Sequence, residues 1–147
     1  MLFRSEDCEA QWTVPYEPGE LRCVSEEVEC ALRTPVDASE LRLEPDRTDI
    51  KADGEDVLQV EVSLFGTRGN PVASRDLMVS YAVTDGASII GVENGDPQDL
   101  TPYTSHDRKT YRGQSIVYIR AGDTPGEATL TARAENGICA EVIVSVR

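Results

Sequence analysis

Apolar residues recur at every second position through most of this chain, and this period constrains the fold more than any other feature. The stretch VLQVEVSLF (57–65) alternates apolar and polar residues, with Leu58, Val60, Val62 and Leu64 on one side. The same alternation runs through 77–83, 127–135 and 138–146. Because successive side chains of a β-strand point to opposite faces, this pattern predicts antiparallel strands with one buried and one solvated face.

Turn signals separate the alternating stretches. They include ADGED at 52–56, TRGN at 67–70, NGDP at 94–97 and ENG at 135–137, and most lie at the spacing typical of β-sandwiches. About seven strands are expected between Leu41 and Val146, and no stretch shows the pattern of a ten-residue amphipathic helix. The sequence therefore predicts an all-β fold, with an immunoglobulin-like antiparallel β-sandwich over residues 37–147.

The first 36 residues differ from the rest of the chain. They are expected to form three short strands, with turns at PYEPG and SEE, and then a linker at TPVDAS (34–39). Three strands can hardly bury a core of their own. We therefore expect residues 1–36 to be the last strands of a preceding β-sandwich, and the chain to be a fragment of a longer one.

Charge and hydropathy exclude several classes of partner. The chain has 147 residues, with 14 Lys and Arg against 27 Asp and Glu, a net charge of −13. Nucleic acids and anionic membranes need clustered cations, so neither is an expected partner. No stretch approaches the roughly 18 apolar residues of a membrane helix, so membrane insertion is not expected either. The N-terminal sequence has no signal-peptide pattern and does not reveal localisation.

The cysteines do not suggest a metal site. Cys8, Cys23, Cys30 and Cys139 form no CxxC pair, and His106 is the single histidine, so neither a structural zinc ion nor a cofactor is expected. A hairpin that turns at residues 26–27 would place Cys23 opposite Cys30, but Glu-Glu is poor chemistry for a tight turn. A disulfide is one outcome there, and small buried thiols are the other.

Several motifs, taken together, carry a resemblance to a known family. They are WTVPYEPGELRCVS (12–25), LRTP (32–35), the stretch LRLEPDRTDIKADGED (41–56), GNPV (69–72), IIGVENGDP (89–97) and YRGQSIVYIRA (111–121). In this order they resemble the C-terminal region of bacterial β-galactosidases of glycoside hydrolase family 2. The middle stretch alone is also similar to the immunoglobulin-like repeats of bacterial adhesins.

The resemblance implies an accessory role. In this family the two catalytic glutamates of the retaining mechanism belong to an upstream barrel that is not present here, so no catalytic residue is assigned to this chain. The family implies a periplasmic or extracellular parent enzyme, with a cytoplasmic one left open. The parent substrate also stays open, between a β-galactoside, a β-glucuronide and another β-linked sugar.

Two features could contact a sugar. The loop residues Asn94 and Asp96 carry oxygens that suit a sugar or Ca²⁺, although NGDP is foremost a turn signal and no metal site is predicted. Aromatic side chains offer stacking surfaces. The candidate carbohydrate contacts are therefore Trp12, Tyr16, Asn94, Asp96 and Tyr103.

The long connection at 97–112 is expected to pack along the sandwich edge or contact another domain. Its neighbouring Ser105, His106 and Asp107 are not expected to form a catalytic triad, because triads assemble from separate elements.

The function expected from these observations is a non-catalytic C-terminal region of a β-galactosidase-type glycoside hydrolase, with a structural, interdomain or substrate-rim role. Its partners would be the other domains of the parent enzyme, and carbohydrate is a further candidate. The alternatives are a carbohydrate-binding module and an adhesin-like immunoglobulin spacer.

Overall fold

The described part of the chain folds into β-strands joined by turns and loops. The computed structural model describes residues 13–15, 17, 19–25, 28–33, 37–84 and 86–147, and these contain no helix. The described residues form eleven strands. In chain order they are β1 Glu20–Val24, β2 Glu29–Arg33, β3 Glu40–Pro45, β4 Asp49–Ile50, β5 Val57–Phe65, β6 Met78–Val83, β7 Ala87–Glu93, β8 Asp107–Lys109, β9 Gln114–Ala121, β10 Gly126–Ala134 and β11 Cys139–Val146.

Strands β3 to β11 form the two sheets of a sandwich. One sheet has the order β4-β11-β10-β6-β8 and the other the order β3-β5-β9-β7, and the pairing is antiparallel except for the short parallel pair β4–β11. The predicted all-β sandwich is confirmed. The expected number of about seven strands is too low, because β4 and β8 have two and three residues and are too short to show a period.

The core lies between the two sheets. Alternate residues of β5 are almost fully buried, and so are the inward residues of β10, as the sequence predicted: Leu58, Val60, Val62, Leu64, Ala128, Leu130, Ala132 and Ala134. Burying one valine or leucine side chain contributes about 1.5–3 kcal/mol. The period of two therefore both defines the strands and supplies their stability.

A two-residue turn joins β8 to β9. Tyr111 and Gln114 exchange both backbone hydrogen bonds, at 2.9 and 3.1 Å, around Arg112 and Gly113. Both turn residues have positive φ, 54° and 76°, as a type I′ turn requires. Any Cβ on Gly113 would lie 2.0 Å from the carbonyl oxygen of Val72, so only glycine fits there.

Strands β1 and β2 form a separate antiparallel hairpin. One of its faces carries two ion pairs, Arg33 with Glu20 and Arg22 with Glu29. The opposite face carries the apolar residues Leu21 and Leu32, with the two cysteines beside them. All described residues of the hairpin are exposed. The division of the chain after residue 36 stays a prediction, since residues 34–36 lie outside the described residues.

The cysteines are placed by this hairpin. Cys23 lies directly opposite Cys30 in the strand register, which is the placement that a disulfide between them would require. Both are free thiols, as is Cys139. The expectation of small buried thiols is wrong for these three, because all of them are exposed.

Candidate functional site

The loop between β7 and β8, residues 94–106, joins the edge strands of the two sheets and holds three of the five candidate site residues. The 97–112 connection is not one long loop, because β8 pairs with β6 in its middle. The backbone N–H of Val92 also donates to the carbonyl of Tyr103 at 2.7 Å. The prediction that this connection packs along the sandwich edge is therefore confirmed.

Asn94 and Asp96 organise the start of the loop. The Asn94 amide nitrogen donates to Oδ2 of Asp99 at 2.9 Å and to the carbonyl of Lys109 at 2.8 Å. The Asn94 side-chain oxygen accepts the Asp96 N–H, and Asp96 in turn accepts the Gln98 N–H. These are the local side-chain-to-backbone bonds by which Asn and Asp stabilise turns. The NGDP segment is thus a turn, with Gly95 at φ +74°.

Arg108 binds the loop from the interior of the sandwich. It is the inward residue of β8 and only 2% exposed, a position that an apolar residue usually fills. Its guanidinium donates from Nη1 to Asp99 at 2.8 Å and from Nη2 to the carbonyl of Pro102 at 2.9 Å. Its Nε is buried and has no hydrogen-bond partner among the described residues. One buried arginine therefore fixes two points of the loop.

The hydrogen bonds around Asp99 stabilise its charged form. The side chain and backbone N–H of Thr101, and then Arg108, hold the pKa of Asp99 well below its usual range. Asp99 is therefore ionised throughout the physiological range and acts as the anchor for Arg108.

Two tyrosines, Tyr81 in β6 and Tyr118 in β9, also have shifted pKa values. Burial raises the pKa of Tyr81 to about 12, and its hydroxyl lies 2.6 Å from that of Ser115. The Tyr118 hydroxyl donates to Glu93 at 2.6 Å, and this bond, followed by partial burial, raises the pKa of Tyr118 to about 12. Both tyrosines are therefore neutral at physiological pH.

A small pocket opens between the loop and the end of β7. It has a volume of about 160 Å³ and is lined by Glu93, Asn94, Asp96, Asp99, Tyr103 and Arg108, among others. Three predicted sugar contacts, Asn94, Asp96 and Tyr103, thus meet at one site. The other two, Trp12 and Tyr16, lie outside the described residues.

The pocket contains three carboxylates, the type of group that a glycosidase uses for catalysis. Its carboxylates already accept hydrogen bonds: Glu93 from Tyr118, Asp96 from Gln98, and Asp99 from Arg108. A general acid of a glycosidase needs a carboxyl with a raised pKa. Among the described residues, hydrogen bonds to the charged form lower the pKa of five carboxyls, so none of these five suits the role of the acid: Glu20, Glu40, Asp53, Asp56 and Asp99.

Ser105, His106 and Asp107 do not assemble a nucleophile either. The Ser105 hydroxyl donates to the backbone carbonyl of Asp107 at 2.9 Å and accepts from the Asp107 N–H at 3.2 Å. His106 is exposed, and its backbone carbonyl accepts from the N–H of Tyr81. This segment ends the loop and leads into β8.

The loop presents apolar surface outward. Leu100 is 93% exposed and Tyr103 is 67% exposed, although the bonds of Asp99 and the Tyr103 backbone fix the segment between them. The Tyr103 ring also lies over the Arg108 guanidinium, with 5.4 Å between ring centroid and Cζ. These two exposed residues, Leu100 and Tyr103, are called the loop tip.

The other acidic loop is structural. Asp53 accepts the N–H groups of Glu55 and Asp56, and Asp56 pairs with Arg47 at 2.6 Å. Throughout the described part of the chain, no three His, Cys, Asp or Glu residues are grouped so that they could hold a metal ion. The same residues contain no helix long and apolar enough to cross a membrane.

Sequence reasoning missed Arg108 and Leu100. Arg108 lies in the polar run HDRKT, where nothing distinguishes the one buried position from its exposed neighbours. Leu100 was an apolar residue in a loop, and its exposure depends on the loop conformation that Arg108 and Asp99 impose.

Comparisons with known proteins agree with this structure. The family described as "Glycoside hydrolase family 2 C-terminal domain 5" matches residues 41–142. Beta-galactosidase BoGH2A of Bacteroides ovatus is 33% identical over 129 residues, which are 84% of this chain and 15% of that protein. The chain therefore spans a small part of the length of this relative.

Solved structures give the same picture of the fold. A glycosyl hydrolase family 2 member from Bacteroides cellulosilyticus has a TM-score of 0.81 and 27% identity, over 92% of this chain and 18% of that chain. The D00–D0 domain of intimin has a TM-score of 0.54 and 17% identity, over 82% of this chain and 55% of that chain, and shares the fold alone. The predicted resemblance is confirmed, and the chain belongs to the glycoside hydrolase family 2 C-terminal domain 5 family.

Proposed function

We propose that this chain is a non-catalytic accessory region of a larger β-galactosidase-type glycoside hydrolase, in which it supports the other domains. The observation that carries the proposal is that the carboxylates of the pocket accept hydrogen bonds from other groups of the chain. These carboxylates are engaged in holding the loop, and a retaining glycosidase needs two carboxyl groups about 5–5.5 Å apart, one of them with a raised pKa. The relative's length, most of which this chain does not cover, leaves room for the catalytic machinery elsewhere.

The loop tip is the surface that meets the rest of the enzyme. Leu100 and Tyr103 are exposed on a loop fixed by the partly buried ion pair of Arg108 and Asp99, so they cost little ordering entropy when they bind. Aromatic residues are enriched in protein contacts, and Tyr103 supplies an exposed aromatic ring here. The net charge of −13 would also favour a partner surface with basic residues.

The hairpin supplies a second contact. Its apolar face carries Leu21 and Leu32, which are exposed in this structure. Two strands with one uncovered apolar face are marginal alone, and further strands would complete their core. Residues 1–36 are accordingly the last strands of a preceding β-sandwich, and that sandwich covers this face.

The longer protein that carries this chain tests the proposal. Leu100→Ser should lower the melting temperature of the longer protein but leave that of the isolated chain unchanged, because Leu100 touches little within the chain. Met78→Ser is the matched control, since Met78 is also an exposed apolar residue of this sandwich but lies in β6. Equal effects of both substitutions in the longer protein would contradict a specific contact at the loop tip.

A carbohydrate contact is the second candidate function, and the pocket that gathers Asn94, Asp96 and Tyr103 favours it. The exposed Tyr103 ring could stack on a sugar face. Titration of the isotope-labelled chain with galactose and β-galactosides should then shift the amide signals of residues 94–106, and Tyr103→Ala should abolish the shifts. Unchanged signals at saturating sugar would exclude this candidate and leave the accessory role standing. An adhesin-like spacer has only the fold likeness to intimin in its favour.

A further inference from the structure

The two cysteines of the hairpin lie in a geometry that defines their chemistry. Cys23 and Cys30 are directly opposite each other on β1 and β2, and both are exposed free thiols. Side chains that are directly opposite in an antiparallel pair share one face of the sheet. Their neighbours on this face are Leu21 and Leu32, so no ion pair of the hairpin separates the two thiols.

The hydrogen-bond pattern sets the distance between the two backbones. The N–H of Ser25 donates to the carbonyl of Val28 at 2.8 Å, so this pair is a hydrogen-bonded one. Hydrogen-bonded and non-hydrogen-bonded pairs alternate along an antiparallel ladder, so Cys23 and Cys30, two residues further on, are again hydrogen-bonded. Such pairs have Cα atoms about 5.5 Å apart, which is inside the range of roughly 4.4–6.8 Å that a disulfide spans.

In the same geometry, a disulfide between Cys23 and Cys30 would be strained. Directly opposite Cβ atoms lie about 4.5–5.5 Å apart, at the longer end for hydrogen-bonded pairs, whereas a disulfide prefers about 3.8 Å. Strained and exposed disulfides are the ones that reductants open easily. A bond at this position would therefore form and break reversibly.

We propose that Cys23 and Cys30 are a reversible disulfide site that exchanges with low-molecular-weight disulfides of the glutathione type. One thiolate attacks the glutathione disulfide, which gives a mixed disulfide and releases one glutathione thiolate. The second cysteine thiolate then attacks the protein sulfur of the mixed disulfide and releases the other glutathione. The two cysteines lose two electrons and two protons, and the glutathione disulfide gains them.

The proposal does not depend on the proposed function, because it concerns the hairpin of this chain alone. It does connect with it, since preceding strands that cover the Leu21–Leu32 face would also cover both thiols. Exchange is then a property of the uncovered hairpin, and the thiol state would report whether that face is docked.

The experiment uses the full 147-residue chain with Cys8→Ser and Cys139→Ser, which leaves only the cross-strand pair. Incubation with oxidised glutathione, acid quenching and intact-mass measurement should show the loss of two hydrogens without a glutathione adduct. Cys23→Ser or Cys30→Ser in this background should instead gain one glutathione. Added reduced glutathione should then restore both thiols. Two stable glutathione adducts, or no reaction, would overturn the proposal.

A shifted pair of cysteines is the matched control for strain. Arg22 and Ala31 are directly opposite at the neighbouring, non-hydrogen-bonded position, where the side chains lie closer. In a chain without its native cysteines, Arg22→Cys with Ala31→Cys should form a disulfide that needs more reduced glutathione to open than the native pair does. If the native pair resists reduced glutathione as strongly as this control, the site is a structural disulfide and the proposal of reversibility fails.

Discussion

Nη1 of Arg108 donates a hydrogen bond to Oδ2 of Asp99 at 2.8 Å, and this pair joins the buried interior of the sandwich to its longest loop. The arginine side chain is 2% exposed and the aspartate side chain 15% exposed, so the charge of the arginine is balanced where water hardly reaches. The loop conformation, the small pocket and the loop tip all depend on this contact.

Replacing Arg108 with methionine should lower the unfolding free energy well beyond the change in a surface variant, because it removes the guanidinium that donates to Asp99 and to the Pro102 carbonyl. Lys109→Met is the matched control: its side chain is exposed, and the expected change is within about 0.5 kcal/mol. Urea unfolding, followed by far-UV circular dichroism, measures the stability of both variants. Equal unfolding midpoints for the two variants would show that Arg108 does not anchor the loop.

The pH dependence of stability should depend on Asp99. Because its pKa is depressed in the folded state, its contribution is present above the ordinary aspartate pKa of 3.8 and is lost as pH falls through the lower pKa of the folded state. Asp99→Asn removes this contribution. The difference in unfolding free energy between the parent chain and Asp99→Asn should therefore be larger at pH 7 than at pH 3. A difference that does not change with pH would contradict the assignment.

The buried hydroxyl pair gives a prediction about coupling. Tyr81→Phe leaves the buried Ser115 hydroxyl without its partner at 2.6 Å and should cost about 1–2 kcal/mol. Ser115→Ala in the same chain removes the other partner, so the double variant should lose less stability than the sum of the single variants. Additive losses would mean that the two hydroxyls do not interact.

Tyr81 should also make the chain sensitive to alkali. Its pKa is raised to about 12, so its contribution is complete below pH 10, the ordinary tyrosine value, and is lost as pH rises towards 12. Absorbance titration of the phenolate should show fewer late-ionising tyrosines in Tyr81→Phe than in the parent chain, in which Tyr118 also ionises late. An unchanged titration curve would place Tyr81 in a wetter environment than the structure does.

Substitutions at two glycines with the same backbone conformation distinguish the cost of a positive φ from the cost of a steric clash. Gly95 and Gly113 have φ of +74° and +76°, but a Cβ on Gly95 meets open space whereas one on Gly113 meets the Val72 carbonyl at 2.0 Å. Gly95→Ala should cost about 1 kcal/mol through backbone strain alone. Gly113→Ala should lower the unfolding midpoint much further, because the turn between β8 and β9 must also move. Similar midpoints for the two variants would contradict the tight turn.

The sequence predicted the parts of the fold in which long strands alternate. The inward residues of β5 and β10 are apolar at every second position, and their burial follows directly from this period. Strands β4 and β8 could not be predicted in this way, since two or three residues hold no period. In β8 the inward residue is also an arginine, which only the three-dimensional position of Asp99 explains.

The candidate site was predicted in part. Turn chemistry predicted the turn at Asn94 and Asp96, and the stacking surface of an aromatic side chain made Tyr103 a candidate sugar contact. Their meeting in one pocket depends on the loop folding back over Arg108, which no local pattern encodes. The exposure of Cys23 and Cys30 likewise depends on what covers the hairpin rather than on residue type.

The most direct measurement of the accessory role is hydrolysis of an aryl β-galactoside by the purified 147-residue chain. Because each carboxylate of the pocket accepts a hydrogen bond from another group of the chain, we expect no release of chromophore above that of a buffer control, at any concentration of the chain. Release that grows in proportion to chain concentration, persists after removal of host enzymes and disappears when Glu93, Asp96 or Asp99 is changed to its amide would contradict the non-catalytic role.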